Sequence, residues 1–255
     1  MNLLNLFNGK SNNVSSIKYK KPIDQQLINK LIDYLQNYYQ HLSKHGSHKI
    51  MVGIDGEINS LLAAKLLTQA LRQAQGGNVV AMVFDIINPA WTNSAVEFCK
   101  KLGLETYVLQ RGTAYQTEIA TYKLHKGQDI KKFYKKFINY HLLIQSEHLK
   151  AKVVDTADKS DRLLGTRPEG FYGHLMPFYP LYKSELYELA KFLGIPVPQT
   201  NDWDKIDPVL YLLTEQQLKV EEISQQFNID LHWLRSLKIQ INKQLFQTTP
   251  SQFLI

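Results

Sequence analysis

His48-Lys49-Ile50-Met51-Val52-Gly53-Ile54-Asp55-Gly56-Glu57-Ile58-Asn59-Ser60-Leu61-Leu62-Ala63-Ala64-Lys65-Leu66 is the stretch on which the reading of the chain turns. Ile50 to Ile54 is an apolar run of strand length, and from Ser60 onward the apolar residues take helical spacing. Between them lies the polar link Asp55-Gly56-Glu57-Ile58-Asn59. A strand-to-helix turn of this kind aims backbone N–H groups and the positive end of a helix at one point, where an anion is stabilised. Proteins of the α/β class hold phosphates in this way. Here, however, the turn brings two carboxylates of its own, Asp55 and Glu57, which oppose an incoming anion.

Outward from this turn the chain alternates. Pro22, at a first helical turn, opens a helix whose apolar residues Leu27, Leu31, Leu35, Tyr38 and Leu42 share a face, and Gly46 ends the pattern. The helix after the turn runs through Leu62, Leu66 and Ala70 to Gly76-Gly77. Asn78 to Asp85 is a continuous apolar run closed by an acid, the form of a central parallel strand. Thr92 to Leu102 gives a helix stopped by Gly103, and Glu105 to Leu109 a further strand. Residues 111–128 show no clear periodicity; a loop over the site would fit them, and no element is assigned there. Ile130 to Leu149 is helical, and Lys126, Lys131, Lys132, Lys135 and Lys136 interleave with Phe133, Tyr134 and Phe137. That pattern fits a solvated face or an anion-facing patch.

Ala151 to Asp155 is again a short strand, and Thr156-Ala157-Asp158-Lys159-Ser160-Asp161 again turns into a helix, supplying a hydroxyl, a lysine and carboxylates. Gly165 to Gly173 reads as a loop, and Tyr182 to Gly194 as an amphipathic helix closed by Gly194 and Pro196. Strands alternating with helices imply an α/β fold, a doubly wound, mostly parallel sheet flanked by helices, with ligands at the carboxyl ends of its strands.

A length of 255 residues with 44% hydrophobic and 21% charged residues fits one globular domain, taken as 21–255 behind a loose arm of residues 1–20. The single cysteine, Cys99, cannot form an internal disulfide, and its neighbours place it on an amphipathic helix as a buried thiol. No apolar run reaches the ~20 residues of a membrane span, and the leading Leu3-Leu4-Asn5-Leu6-Phe7 lacks a basic region before it. A cytoplasmic protein with no membrane partner is expected. The formal net charge of +7 favours an anionic partner, with a solvated basic surface as the plainer reading.

Asp155-Thr156-Ala157-Asp158-Lys159-Ser160-Asp161, then Pro177, then Leu181-Tyr182-Lys183-Ser184-Glu185-Leu186-Tyr187-Glu188-Leu189-Ala190-Lys191-Phe192-Leu193-Gly194-Ile195-Pro196 resemble the second half of the ammonia-dependent NAD synthetase family. That family reads G-T-G-N-K-S-E, then P…L-Y-K-T-x-V-x-E-L-A-x-x-L-G-I-P, then P-[ST]-A-D-L, which Gln199-Thr200-Asn201-Asp202-Trp203 resembles. Order and spacing agree from about Pro22 onward. The resemblance implies an adenine-nucleotide α-hydrolase-like (Rossmann-like) fold of the N-type ATP pyrophosphatases and a homodimer. It implies adenylation of deamido-NAD by ATP with Mg²⁺, then displacement of AMP by ammonia, and no preceding glutaminase domain is expected. Carried over position by position, it implies ATP contacts at Gly53, Asp55, Gly56, Ser60, Thr156, Lys183 and Thr200. Asp161 stands where the family has a metal-binding Glu, and Asn59 where it has a metal-binding Asp. Lys135, Arg167 and His174 fall on the deamido-NAD side.

The match fails where the chemistry is densest. The family loop S-G-G-x-D-S is here Asp55-Gly56-Glu57-Ile58-Asn59-Ser60. Asn59 offers a neutral oxygen where Mg²⁺ binding favours a carboxylate, and Glu57 sets an anion where bare backbone is wanted. In K-A-R-x-R, matched by Lys131-Lys132-Phe133-Tyr134-Lys135, the two arginines have become Phe133 and Lys135, and a lysine does not reproduce a bidentate fork. Two readings follow: a synthetase-like protein with weak or lost catalysis, or a divergent but active ATP-dependent ligase. A third comes from Thr214 to Ile241, which has the outline of a helix-turn-helix, although its second helix is poor in Arg and Lys and nucleic acid is not the expected partner.

Overall fold

The computed structural model describes residues 14, 17–73, 77–124, 128–166, 173–197 and 202–248. Strands β1 (Lys49–Ile54), β2 (Asn78–Asp85), β3 (Glu105–Gln110) and β4 (Ala151–Val153) form one sheet in the order β3-β2-β1-β4. Every pairing is parallel, with Ile50 opposite Val79 and Ile54 opposite Val83 across the central pair. A bridge between Val154 and Leu175 continues the sheet beyond β4. The crossovers are α2 (Ile58–Gln73), α3 (Pro89–Lys101), and the pair α4 (Gly112–Thr121) and α5 (Gln128–His148).

The pleat explains why β1 and β2 are apolar throughout. Ile50, Val52 and Ile54, with Val79, Ala81 and Val83, enter one core with α1 (Gln25–Lys44), α2 and α3. Met51, with Val80, Met82 and Phe84, enters the opposite core against Tyr115 of α4 and Phe137 and Leu142 of α5. Helices therefore cover both faces, and strands buried on both sides read as continuous runs. Gly53 lies on the α5 side, where an added Cβ would sit 2.6 Å from the Leu142 Cδ1 atom. Its bareness lets α5 close on β1.

Strand order then fixes the site. The chain leaves β1 toward β2 and later returns to the other side of β1 at β4, so a crevice opens beyond the carboxyl ends of β1 and β4. The two turns singled out in the sequence, after Ile54 and after Val153, face each other there.

Behind the second turn, α6 (Lys159–Leu164), α7 (Lys183–Phe192), α8 (Trp203–Thr214), α9 (Val220–Phe227) and α10 (Leu231–Thr248) complete the described residues. Ile223 of α9 and Leu234, Leu237 and Ile241 of α10 are buried with Leu210 and Leu213 of α8. The apolar faces of the helix-turn-helix outline are thus turned inward.

The local reading differs at the start of the first helix, and one further helix appears where none was assigned. Helix α1 begins at Gln25, because the Asp24 side chain accepts the Leu27 N–H at 2.9 Å and caps it, leaving Pro22 outside. Residues 112–121, to which the sequence assigns no element, form α4; only Tyr115 of it is buried, so there is no apolar stripe to betray the helix. Of the stretch read as a loose arm, residues 1–13, 15 and 16 lie outside the described residues. Val14 is buried, Tyr19 bonds Ser184 through its hydroxyl at 2.8 Å, and Lys20 pairs with Glu188 and Asp204. Cys99 is fully buried, which pushes its thiol up to about 11.

Filling the Gly53 gap is a direct check on this packing. Gly53→Val is expected to cost ~1–3 kcal/mol by overpacking, read as a drop in Tm with the transition still cooperative. An unchanged Tm would mean that α5 is not seated on β1 as described.

Candidate functional site

The first turn folds on itself. Gly56 has φ +92°, and a Cβ there would lie 2.6 Å from the Trp91 ring of α3, so both conformation and space demand glycine. Asp55 Oδ1 accepts the Glu57 N–H at 3.1 Å, and the Ser60 hydroxyl donates to the Glu57 carbonyl at 2.8 Å. One N–H of the cradle is therefore already given to the turn's own carboxylate.

Lys135 reaches in from α5 and pairs with Asp55 Oδ2 at 2.6 Å and Glu57 Oε1 at 2.8 Å. Burial works against charge on Asp55, but Lys135 and the hydrogen bonds outweigh it and hold the carboxyl below the usual aspartate range. Burial likewise opposes the Lys135 charge, and Asp55 with Glu57 overcomes it, raising the ammonium above its usual range. The lysine read as facing a substrate anion thus faces two resident ones. Glu57 is half exposed, so its pair is worth only ~0.2–1 kcal/mol, whereas Asp55 is nearly enclosed.

The second turn is built on Asp158, which caps α6 by accepting the Asp161 N–H at 2.8 Å. Lys183, first residue of α7, is only 5% exposed, and its Nζ lies 2.8 Å from Asp158 Oδ2, 2.9 Å from Asp161 Oδ2 and 3.1 Å from Asn59 Oδ1. Burial would lower the Lys183 pKa, but Asp158, Asp161 and Glu57 raise it well above its usual range. Burial and the neighbouring Asp161 charge push Asp158 up against the pull of Lys183. Asp161 is pulled down, since Lys183 and the Thr166 hydroxyl outweigh its burial.

Asn59 ties the two turns together. Its Nδ2 donates to the Thr156 carbonyl at 2.8 Å and to Asp158 Oδ2 at 3.0 Å. Beneath lies a second network: Asp207 of α8 accepts the Ser160 hydroxyl and the Ser184 N–H, each at 2.7 Å, and Ser160 Oγ accepts the Lys183 N–H at 2.9 Å. This fixes the start of α7, and with it Lys183.

Of the residues expected from the sequence, Gly53, Asp55, Asn59, Lys135, Thr156 and Asp161 line one cavity of about 60 Å³. Pockets for drug-sized ligands measure roughly 300–1,000 Å³, so the cavity as it stands has room only for a small group. Ser60 and Gly56 shape the first turn, and Lys183 does not line the cavity but holds two residues that do, Asn59 and Asp161. His174 lies apart from this cluster: its N–H donates to the Val153 carbonyl and its Nδ1 accepts the Val153 N–H, placing it beside β4. Burial and Lys152 lower its pKa. Arg167 and Thr200 lie outside the described residues. Asp158, Thr166 and Asp207, which the sequence does not mark as site residues, hold the junction together; the available signal is the pair of acids three apart at a helix start, Asp158 and Asp161, which serve as cap and ion partner at once.

The magnesium expected at Asn59 and Asp161 is not matched by the donors as arranged. Asn59 Oδ1 and Asp161 Oδ2 both accept from Lys183, and Asp161 Oδ1 accepts the Thr166 hydroxyl at 2.6 Å. Among the described residues no three or more His, Cys, Asp or Glu are grouped to hold an ion.

Fold and crevice define an α/β protein of the nucleotide-binding kind, with paired strand-to-helix turns at the switch point of a parallel sheet. The sequence matches the family model for NAD synthase over residues 27–201, and the chain belongs to that family. It is 28% identical over 183 residues to the NH(3)-dependent NAD(+) synthetase of Wolinella succinogenes, covering 67% of this chain and 65% of the relative. The counterpart from Campylobacter jejuni strain RM1221 is 30% identical over 178 residues, 67% of this chain and 68% of the relative. Among solved structures, an NH3-dependent NAD synthetase from Campylobacter jejuni in complex with the nitrate ion shares the fold, with TM-score 0.72 and 24% identity over 92% of this chain and 100% of that one. An NMN synthetase from Francisella tularensis does so at TM-score 0.65 and 17% identity, covering 90% and 98%.

Burial pushes the Asp207 carboxyl up to about 6. The native state then holds that proton more tightly than the unfolded chain, whose aspartate titrates near ~3.9, so stability falls as pH rises from there through about 6. Asp207→Asn is expected to flatten part of this decline in a Tm-against-pH profile, whatever its fixed cost; an unaltered slope would contradict the assignment.

Proposed function

We propose that the chain is a NAD synthetase-like protein in which the ancestral reaction, amidation of deamido-NAD with ammonia at the expense of ATP, is weak or lost. The observation that carries this reading is the double pairing of Lys135 with Asp55 and Glu57. Adenylation brings a substrate carboxylate to the α-phosphorus of a triphosphate and expels pyrophosphate, so the site must neutralise anions as they gather. Here the cation on the α5 side is neutralised from within. Each resident carboxylate opposes a phosphate ~4 Å away by about 4 kcal/mol at an effective dielectric of 20. Gly53, Thr156, Lys135 and Asp161 around one cavity support retention of a nucleotide site. The same gathering favours the second reading, an active but divergent ligase.

The expected result in a pyrophosphate-release assay with ATP, deamido-NAD and ammonia is background rate. Robust turnover abolished by Lys183→Met would establish the active reading instead. Glu57→Gln removes a half-exposed charge at small cost and is expected to enlarge the Tm shift produced by ATP. An equal or smaller shift in the variant would show that Glu57 does not obstruct the anion.

A homodimer and a cytoplasmic location are part of this proposal. Tyr140, Leu143 and Ile144 on α5, 61%, 41% and 42% exposed, form one apolar stripe at helical spacing, which a second copy would cover. Among the described residues no helix is long and apolar enough to cross a membrane. Light scattering during size-exclusion chromatography is expected to give twice the chain mass, reduced to one in Leu143→Lys/Ile144→Lys; a wild-type monomer would remove the dimer from the proposal.

A further inference from the structure

The oxygens that converge between the two turns meet an ammonium. We propose that the Lys183 Nζ is the resident cation of this junction, standing in place of a divalent metal, and that the site takes its ligands without one. The inference rests on the family reading above and departs from the metal dependence that the family implies.

Three features carry it. The first is prior engagement of the donor set. Asp158 Oδ1 accepts the Asp161 N–H and Oδ2 accepts Lys183 and the Asn59 amide. Asp161 Oδ1 accepts the Thr166 hydroxyl and Oδ2 accepts Lys183. Asn59 gives its oxygen to Lys183 and its nitrogen to Thr156 and Asp158. A Mg²⁺ ion demands near-octahedral oxygen ligands at ~2.0–2.1 Å, and here each of these oxygens already has a donor.

The second is that Lys183 is tethered. Its backbone N–H donates to Ser160 Oγ, Asp207 holds Ser160 and the neighbouring Ser184 N–H, and the Trp203 ring lies 5.8 Å from the ammonium. A dication entering between Asp158 and Asp161 would strip this buried ammonium of its counter-charges and add repulsion at close range, a combination that destabilises strongly.

The third is Asn59. An aspartate there would leave the junction with a further charge for a metal to neutralise. The amide instead donates to Asp158, cross-linking the carboxylates that Lys183 balances. Substitution and lysine position are thus mutually consistent, each removing part of what a dication requires.

The test is uptake of Mn²⁺, followed by loss of the free-ion signal in electron paramagnetic resonance and by Tm. Wild type is expected to take up none at the junction and to show no Mn²⁺-dependent Tm shift. Lys183→Met leaves Asp158 and Asp161 unbalanced; its Tm is expected to fall, and Mn²⁺ to bind and recover most of the loss. Lys183→Arg, which keeps a cation, is expected to behave as wild type and serves if Lys183→Met does not fold. A saturable wild-type site that disappears in Asp161→Asn overturns the proposal, as does a folded Lys183→Met that ignores Mn²⁺ or a Lys183→Arg that binds it. Ammonia-dependent pyrophosphate release undiminished by a chelator would overturn the functional reading while leaving this proposal standing, and Mn²⁺ uptake at the junction of a turnover-free wild type would do the reverse.

Discussion

A buried ammonium holds the functional end of this molecule together. Lys183 lies at the meeting point of α2, α6 and α7, within 3.1 Å of oxygens from Asn59, Asp158 and Asp161. Removing one partner of such a buried pair typically costs ~3–5 kcal/mol, because the other charge is left without compensation. The cluster is therefore a structural device as much as a chemical one. It closes the gap between two strand-to-helix turns that would otherwise repel each other through their carboxylates.

Around it, charge is balanced locally. Lys135 serves Asp55 and Glu57 on the α5 side, as Lys183 serves Asp158 and Asp161 on the α7 side. In a site built to receive anions, lysines wait for the ligand. In this one both have found partners in the chain itself. The geometry of a nucleotide cradle persists, with its positive-φ glycine and its helix starts, while the electrostatics have turned inward.

The rest of the fold supplies the frame. Gly53 allows α5 to approach β1 closely enough for Lys135 to reach the first turn. Asp207, at the base of α8, anchors Ser160 and the start of α7. Tyr19 and Lys20 strap the outer side of α7 to the segment before α1. These contacts lie well apart in sequence, and each bears on where one of the two lysines can stand.

From the sequence alone, the doubly wound sheet, the places of its four strands, the family and the two turns were legible, because burial on both faces writes unbroken apolar runs and helix starts leave capping residues. Helix α4 was not legible, since one buried tyrosine makes no periodic stripe. Asp55, Glu57, Asn59, Lys135 and Lys183 were legible as participants but not as partners. Which carboxylate meets which lysine depends on the strand order β3-β2-β1-β4, which sets β4 beside β1 and brings residues about a hundred positions apart within hydrogen-bond reach. Only the tertiary structure decided that the cations of the site are neutralised by the chain's own acids, because electrostatic pairing is settled by distance and burial and not by order along the chain.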